Sequence, residues 1–449
     1  MRILYLSYEI KSREIHFLRE IAYKTIKTKA ADIVYIGNKY IIFKLATLGL
    51  LIPGVIFIKS AQKYLNKKLK RMKENGFKVV LQDAESVCDL YKDNMDYDMY
   101  MKHPDSLKFI ETIYTSRTDE DNCLKKYNKI CRAKKIGFLR FSYLLNKNYF
   151  KKIYGEEINK IQKEYGKHIL ILTSSTVYKF PHSGNKSFKG SQGMNEERFK
   201  LLLDWANYSH KNLFSICEFI RLFSEKSKGI KIIFRPHPSE SKEFYCTLFN
   251  GIDNVIVENN FSIHASLAAA NSIILPPIST TSFEAAIMEK EIFYLMPKSR
   301  DELDLFIRNH ITTKLGTIYD DPISLHKAIT TKKIKKDINK LLKNKKLIAT
   351  NFINLTEDTL QNFCDDIKNI FFKESYYFKK SVNKKLKFQD LIIKATSYLF
   401  SFYTNLFFNK KKFSYLNYKL KGFKYEDDTY MYHDKAIKRT ECGIFEKFS

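Results

Sequence analysis

Cysteine is scarce in this sequence and never closely paired. The seven residues, at positions 88, 123, 131, 217, 246, 364 and 442, are odd in number and form no CxxC, so neither a disulfide framework nor a zinc site is expected, and the thiols read as reduced in a cytosolic protein. A long apolar run is also missing. The best candidate, Leu45 to Ile58, holds Pro53 and Gly54 between Lys44 and Lys59, and falls short of the roughly 20 apolar residues a spanning helix needs. The opening "MRILYLSYEIKSRE" becomes charged too early for a secretory signal and reads as a first strand. Acid is the third shortage. Against 78 Lys and Arg there are 49 Asp and Glu, a formal charge of +29, which suits nucleic acid, an anionic membrane face or phosphorylated substrates. No DxD stands at a strand end, because "DYD" at Asp96 to Asp98 lies in an acidic, Tyr-rich stretch. No metal is expected, and there is no internal repeat.

What remains is a chain of 449 residues, 44% hydrophobic and 28% charged, large enough for two folded domains and an appendage. Ile3 to Ser7, Asp32 to Ile36, Val55 to Ile58, Lys78 to Leu81 and Thr112 to Thr115 read as strands, with helices such as Arg13 to Thr28 and Ala61 to Asn75 between them. A second series follows the helix Tyr154 to Tyr165, which Gly166 ends: His168 to Leu172, Lys231 to Phe234, Val255 to Val257, Ser272 to Leu275 and Ile292 to Leu295. Alternating strands and helices predict α/β architecture, two tandem Rossmann-like domains at 1–150 and 151–330, with the cleft between them as the default ligand site. Residues 331–449 read as a helical, basic and aromatic extension. Its "KKLKFQDLIIKATSYLFSFYTNLFFNKKKFSY" fits either a helix lying in a membrane interface on anionic lipid or a helix docked on the body with its lysines solvated.

Three stretches at predicted strand ends of the second domain carry candidate chemistry. After "HILIL" comes "TSST", where Thr173 and Ser174 offer hydroxyls to a phosphate or sugar, though such residues are common in any loop. Next is "RPHP". Prolines 236 and 238 fix the backbone around His237, and Arg235 adds a planar cation suited to phosphate; the structural alternative is a stiff strand-to-helix connection. The third is "PPISTTSFEAA", in which Ser279, Thr280, Thr281 and Ser282 stand where a helix begins and free amides favour an anion. Thr281 with Glu284 also fits a capping box. His237 precedes Ser279 by 42 residues on the same predicted sheet, so both stretches can open on one edge and bind a nucleotide phosphate without a metal.

The order of "EIKSRE", "GVIFIKSA", "GFKVVLQDAES", "GFLRFSYL", "YGKHILILTSS", "RPHPSE" and "STTSFEAA" resembles bacterial surface carbohydrate biosynthesis proteins over roughly residues 1–310. These are similar to glycosyltransferases of the GT-B architecture and, distantly, to the CMP-sugar-using sialyl and Kdo transferases. The resemblance implies that His237 and Ser279 to Ser282 hold the donor phosphate and that Glu284 meets the donor ribose. It implies a catalytic base in "QDAES", at Asp83 or Glu85, although Ala84 replaces a usual acid and Ser86 a usual glycine. "GFLRFS" keeps Arg140 but lacks the usual Asn-Pro and closing Asp. Chemistry alone adds Glu9 and Glu14, which follow the first strand and can serve as the base; first-turn Glu14 equally suits the helix dipole.

The expectation is a metal-independent GT-B glycosyltransferase, cytoplasmic and peripherally bound to the inner face of the membrane. It would use a nucleotide-sugar, with CMP one candidate nucleotide, as co-substrate and a surface polysaccharide or lipid-linked saccharide as acceptor. The alternatives are a CDP-glycerol or ribitol-type phosphotransferase, a catalytically degenerate assembly protein and, less favoured, a sugar-nucleotide epimerase. Nucleic acid is not an expected partner, since the charge is spread along the chain and no binding module is present.

Overall fold

The structure is a computed structural model and is described for residues 1–9, 11–82, 103–115, 127–173, 196–227, 229–237, 240–298, 302–330, 342, 344, 346, 348, 359–373, 385–396 and 445–448. It divides into two compact units, Met1–Leu145 with Ala349–Ser449, and Asn146–Ile348. The first contains β1 (Ile3–Tyr8), β2 (Ile33–Asn38), β3 (Val55–Ile58), β4 (Lys78–Gln82), β5 (Thr112–Thr115) and β6 (Arg132–Lys135). These run parallel in the order β2-β1-β3-β4-β5-β6, and a last strand, Phe445–Phe448, pairs antiparallel with β2 at the edge. Strands β1 to β3 are buried along their whole length, as expected of parallel strands covered on both faces. Entry into β3 depends on Gly54, because a Cβ there would stand 2.3 Å from the Ile3 carbonyl oxygen.

Helices α1 (Lys11–Lys27), α2 (Lys39–Thr47) and α3 (Leu139–Leu145) belong to this unit. The second unit begins with α4 (Lys147–Tyr165), closed by Gly166 at φ 63°. Its strands are β7 (His168–Leu172), β8 (Lys231–Arg235), β9 (Val255–Val257), β10 (Ser272–Ile274), β11 (Ile292–Leu295) and β12 (Thr317–Tyr319), all parallel, in the order β12-β11-β10-β7-β8-β9. Two short helices matter below: α5 (Ile263–Ala269) and α6 (Thr280–Ile287). The architecture is thus the α/β one expected, two Rossmann-like domains each with six parallel strands.

Where residues 331–449 are described, they fold largely onto the first sheet instead of forming a region of their own. Helix α7 (Thr359–Lys373) buries Phe363, Ile367, Ile370 and Phe371, each worth roughly 1.5 to 3 kcal/mol of apolar burial. Phe363 meets Phe57 and Tyr114 edge-on at 5.7 and 5.4 Å. Helix α8 (385–396) covers the opposite face, where Ile393 joins the core of Tyr5, Tyr35, Ile56, Val79 and Leu81. Both faces of the first sheet are therefore completed from the far end of the chain. Of the two readings offered for the tail helix, the docked one describes 385–396; residues 397–444 lie outside the described residues. Among the described residues no helix is long and apolar enough to cross a membrane.

Candidate active site

In the second unit β8 and β9 lie to one side of β7 and β10 to β12 to the other, so strand order reverses between β7 and β10. At such a reversal the loops leaving adjacent strands diverge and open a crevice beyond the carboxyl ends. The three stretches picked out by sequence leave β7, β8 and β10, neighbours across that point. Register aligns them: Leu172 is level with Arg235, and Ile171 with Ile274.

Thr173 donates its hydroxyl to Glu240, whose Oε2 also accepts the His237 amide at 3.0 Å. The same amide lies 3.3 Å from Thr173 Oγ1, and the Glu240 amide returns to the His237 carbonyl at 2.8 Å. Glu240 is buried. It therefore knits β7 to the turn after β8 and fixes the backbone that carries the imidazole. Sequence reasoning passed over it; the signal was an acid three residues after His237 in "HPSE". Thr173, expected to face a ligand, commits its hydroxyl to this brace.

Arg235 is deeply placed. Burial lowers its pKa, against the opposing charges of Glu258 and Glu157, and its Nη1 lies 3.8 Å from Glu258 Oε1. No hydrogen bond reaches Nη1 among the described residues. Glu258, at the end of β9, also accepts the Phe261 amide at 3.2 Å. A buried guanidinium with an unused donor retains hydrogen-bonding capacity for an anion.

The turn after β10 carries a strained backbone. Ile278 has φ 53°, a left-handed conformation that costs a β-branched residue free energy and tends to persist where geometry is functional. Next to it Ser279, not Thr281, caps α6 by accepting the Thr281 amide at 3.2 Å. Two of the expected ligand residues turn away from the crevice. Ser282 is wholly buried with its Oγ 2.8 Å from the Tyr294 hydroxyl, which donates to the Thr312 carbonyl at 2.6 Å. Its role here is packing α6 on the sheet. Glu284 is equally buried and stands 3.5 Å from His264 Nε2 on α5, while His264 Nδ1 lies 3.2 Å from the Tyr154 hydroxyl on α4. The capping box expected of Thr281 and Glu284 is thus replaced by a Ser279 cap and a buried chain through three helices. Thr280 is buried at the helix start and Thr281 half-buried. Ser174 lies outside the described residues.

The first sheet repeats the reversal between β1 and β3. There Glu9 receives Lys39 at 2.5 Å and Lys59 at 2.7 Å, the residues that directly follow the two strands flanking β1. Glu14 on α1 accepts Lys59 at 3.1 Å and the Glu9 amide at 2.9 Å. Burial alone would raise the Glu9 pKa, but Lys59 and Lys39 outweigh it and bring the group from 4.5 down to about 2. Such a carboxylate is a poor proton acceptor near neutrality. The cluster borders a recess lined by Ser7, Glu14, Lys59, Gln82 and Arg140. Gln82 accepts the Leu139 amide at 2.9 Å and donates to the Gly137 carbonyl at 2.7 Å, which fixes the turn leading to Arg140. Asp83, Glu85 and the Asp96 to Asp98 stretch lie outside the described residues, but Asp83 directly follows Gln82.

No family model and no curated protein sequence matches the chain. Its fold is similar to that of a variant of the wall teichoic acid polymerase TagF with CDPG, at TM-score 0.51 and 12% identity over 84% of this chain and 90% of that one. It is also similar to UDP-GlcNAc 2-epimerase from Methanocaldococcus jannaschii in complex with UDP-GlcNAc and UDP, at TM-score 0.47 and 13% identity over 82% and 100%. A third is Glycyrrhiza uralensis UGT73P12 with glycyrrhetinic acid 3-O-monoglucuronide, at 0.46 and 9% over 88% and 99%. Together with two parallel, doubly wound sheets in one chain, the first of these defines the fold as GT-B. At such identities the likeness is one of fold alone.

Proposed function

We propose that the protein is a GT-B transferase that binds a nucleotide-linked donor in its second domain and moves the sugar to a bacterial surface polysaccharide or its lipid-linked precursor. The observation that carries this is that β8, β7 and β10 are parallel neighbours at a strand-order reversal and so end at one sheet edge. That order gathers the His237 turn, the Ser279 cap and the start of α6 there. In this reading the donor's phosphate is held by His237, the hydroxyls of Ser279 to Thr281 and the amides of the first turn of α6, with the Arg235 cation adding favourable potential. Charge that develops on the leaving phosphate is stabilised by donors already in position, with no metal ion required of the chain's own residues. The acceptor hydroxyl needs a base. With Glu9 held near pKa 2 by its two lysines and Glu14 engaged by Lys59 and the Glu9 amide, the role is assigned to Asp83 or Glu85, which follow Gln82 in the sequence.

A second reading is a transferase acting on a CDP-linked polyol phosphate. It is favoured by the similarity to a teichoic acid polymerase described with CDPG, and it uses the same phosphate-binding elements.

A thermal-shift screen of the full chain with CMP, CDP, UDP, GDP and their sugar conjugates tests the site. A nucleotide at roughly a hundred times its Kd stabilises the domain that binds it by about 2.7 kcal/mol, a shift of some 5 to 10 °C. His237→Ala is expected to abolish the shift, and an equal response in variant and wild type would remove His237 from the site. The nucleotide that responds separates the CMP-sugar reading from the CDP-linked one.

A further inference from the structure

The solvent side of α8 and the end of α2 each carry exposed apolar side chains beside exposed lysines, and the Gln389 bond to Ile52 ties the two elements together. On α8 Gln389 points inward, its Oε1 accepting the Ile52 amide at 2.6 Å and the Tyr5 hydroxyl at 3.2 Å, and Ile393 is buried beside it. The outward side carries Phe388 and Leu391, 60% and 63% exposed, one helical turn apart. Lys385, Lys387 and Lys394 flank them and are exposed. Asp390, the acid of this helix, is half-buried and accepts the Tyr35 hydroxyl at 2.6 Å.

The second half of the surface leads into Ile52. Helix α2 ends in a tight turn in which the Gly49 amide bonds the Ala46 carbonyl and the Leu50 amide bonds the Leu45 carbonyl, with Gly49 at φ 69°. In this cap the apolar residue after the glycine usually folds back onto the helix. Here Leu48 and Leu50 instead remain 60% and 38% exposed, with exposed Lys44 one turn before them. Singly exposed leucines are ordinary, but two exposed apolar pairs on elements joined through Ile52 and Gln389 are not, and clustered apolar exposure marks partners.

We propose that this face docks on an anionic phospholipid bilayer, with Leu48, Leu50, Phe388 and Leu391 entering the boundary of headgroups and acyl chains while Lys44, Lys385, Lys387 and Lys394 meet lipid phosphates. Amphipathic surfaces of this pattern gain both apolar burial and attraction to anionic lipid. Nucleic acid would meet the lysines but offers no apolar phase for the four side chains. A second copy in a two-fold contact would set the same lysines against each other, which like-charge repulsion opposes. The inference deepens the lipid-linked acceptor reading and rests on it for its purpose, since docking would hold the first domain at the surface where such an acceptor resides.

The test is sedimentation of the purified full chain with vesicles of phosphatidylcholine, and with vesicles that also contain phosphatidylglycerol. The wild type is expected to pellet with the anionic vesicles alone and to be released by salt. Replacing Lys385, Lys387 and Lys394 by Gln is expected to weaken partitioning on the order of a hundredfold, at about 1 kcal/mol per lysine and 1.4 kcal/mol per tenfold. Phe388→Asp combined with Leu391→Asp, at exposed positions that the fold does not require, is expected to weaken it at least as far. Melting curves with and without the responding nucleotide are recorded on every variant and should match the wild type. Wild type that ignores anionic vesicles yet responds to nucleotide overturns the docking surface alone; binding to anionic vesicles without any nucleotide response overturns the donor site alone. Unchanged vesicle binding in both variants also overturns the surface. So does a wild-type dimer that F388D/L391D converts to monomer without vesicle binding, because a second copy would then be the occupant.

Discussion

Glu9 and Glu20 sit in the same domain with carboxyl groups displaced in opposite directions, and the signs can be followed into stability. Glu9, drawn down to about 2 by Lys59 and Lys39 against its burial, contributes stability that is present above about pH 4.5 and is lost as pH falls toward 2. That contribution is about 3 kcal/mol. Glu20 on α1 is pushed the other way. Burial, only partly offset by the Ser142 hydroxyl and Lys24, raises its pKa from 4.5 to about 7, and its Oε2 has no hydrogen-bond partner among the described residues. Folding therefore favours its protonated form, and stability falls as pH rises from about 4.5 through 7. Glu20→Gln is expected to remove that slope and to stabilise the protein at pH 8 by up to about 3 kcal/mol, read from urea midpoints across the pH range. At the donor edge Glu240 is the residue to change. Glu240→Ala leaves the Thr173 hydroxyl and His237 amide without their shared acceptor, an expected loss of roughly 1.5 to 3 kcal/mol. Nucleotide response should fall with it, while Glu240→Gln, which keeps an oxygen acceptor, should retain most of both. That the His237 turn and the Ser279 to Ser282 hydroxyls follow strands was legible from sequence, because prolines and hydroxyls after an apolar run mark a strand-to-helix turn. The inward turn of Ser282 and Glu284 was not, since it depends on Tyr294 of β11 and His264 of α5, which become their partners only through tertiary packing.

Elements were legible in proportion to how far local pattern alone fixed them. Strands such as Val55–Ile58 and His168–Leu172 coincide with their apolar runs, and Gly166 ends α4 as its position implied. Strand β6 escaped because "RAKK" has no apolar face; its basic side chains are held by a partner from more than two hundred residues away. That partner is Asp366 on α7, which accepts Arg132 at 2.7 Å, Lys134 at 3.1 Å and the Tyr114 hydroxyl at 2.9 Å while almost fully buried. Strand β12, three residues long, is too short to carry a period. The network also makes α7 a structural element of the first sheet and not a free appendage. Arg132 and Lys134 are more than a third exposed and would be solvated without their acceptor, so the cost of Asp366→Ala falls chiefly on the stranded Tyr114 hydroxyl and is expected to be roughly 1 to 3 kcal/mol. Limited proteolysis would then cut the first unit at lower temperature than in wild type, and protection within 146–348 would be unchanged.

At the scale of the whole molecule the decisive feature is connectivity. The second unit is one uninterrupted stretch, Asn146–Ile348, inside a first unit assembled from both ends of the chain. All six of its strands and the buried cluster of Ile169, Phe219, Phe223, Phe234, Phe293 and Leu325 come from within that stretch. Excised, it should fold with its core intact. The first unit has no such independence. Tyr5 and Tyr35 place their hydroxyls on Gln389 and Asp390, and Tyr114 on Asp366. A fragment ending at Leu145 would expose the sheet faces that α7 and α8 cover and leave the Tyr35 and Tyr114 hydroxyls without these acceptors. That asymmetry separates donor binding from the rest of the protein. Residues 146–348 expressed alone are expected to melt cooperatively and to be stabilised by the same nucleotide that stabilises the full chain, whereas residues 1–145 alone are expected to show no cooperative transition. If the excised domain folds but ignores that nucleotide, the phosphate site needs residues beyond those that follow β7, β8 and β10.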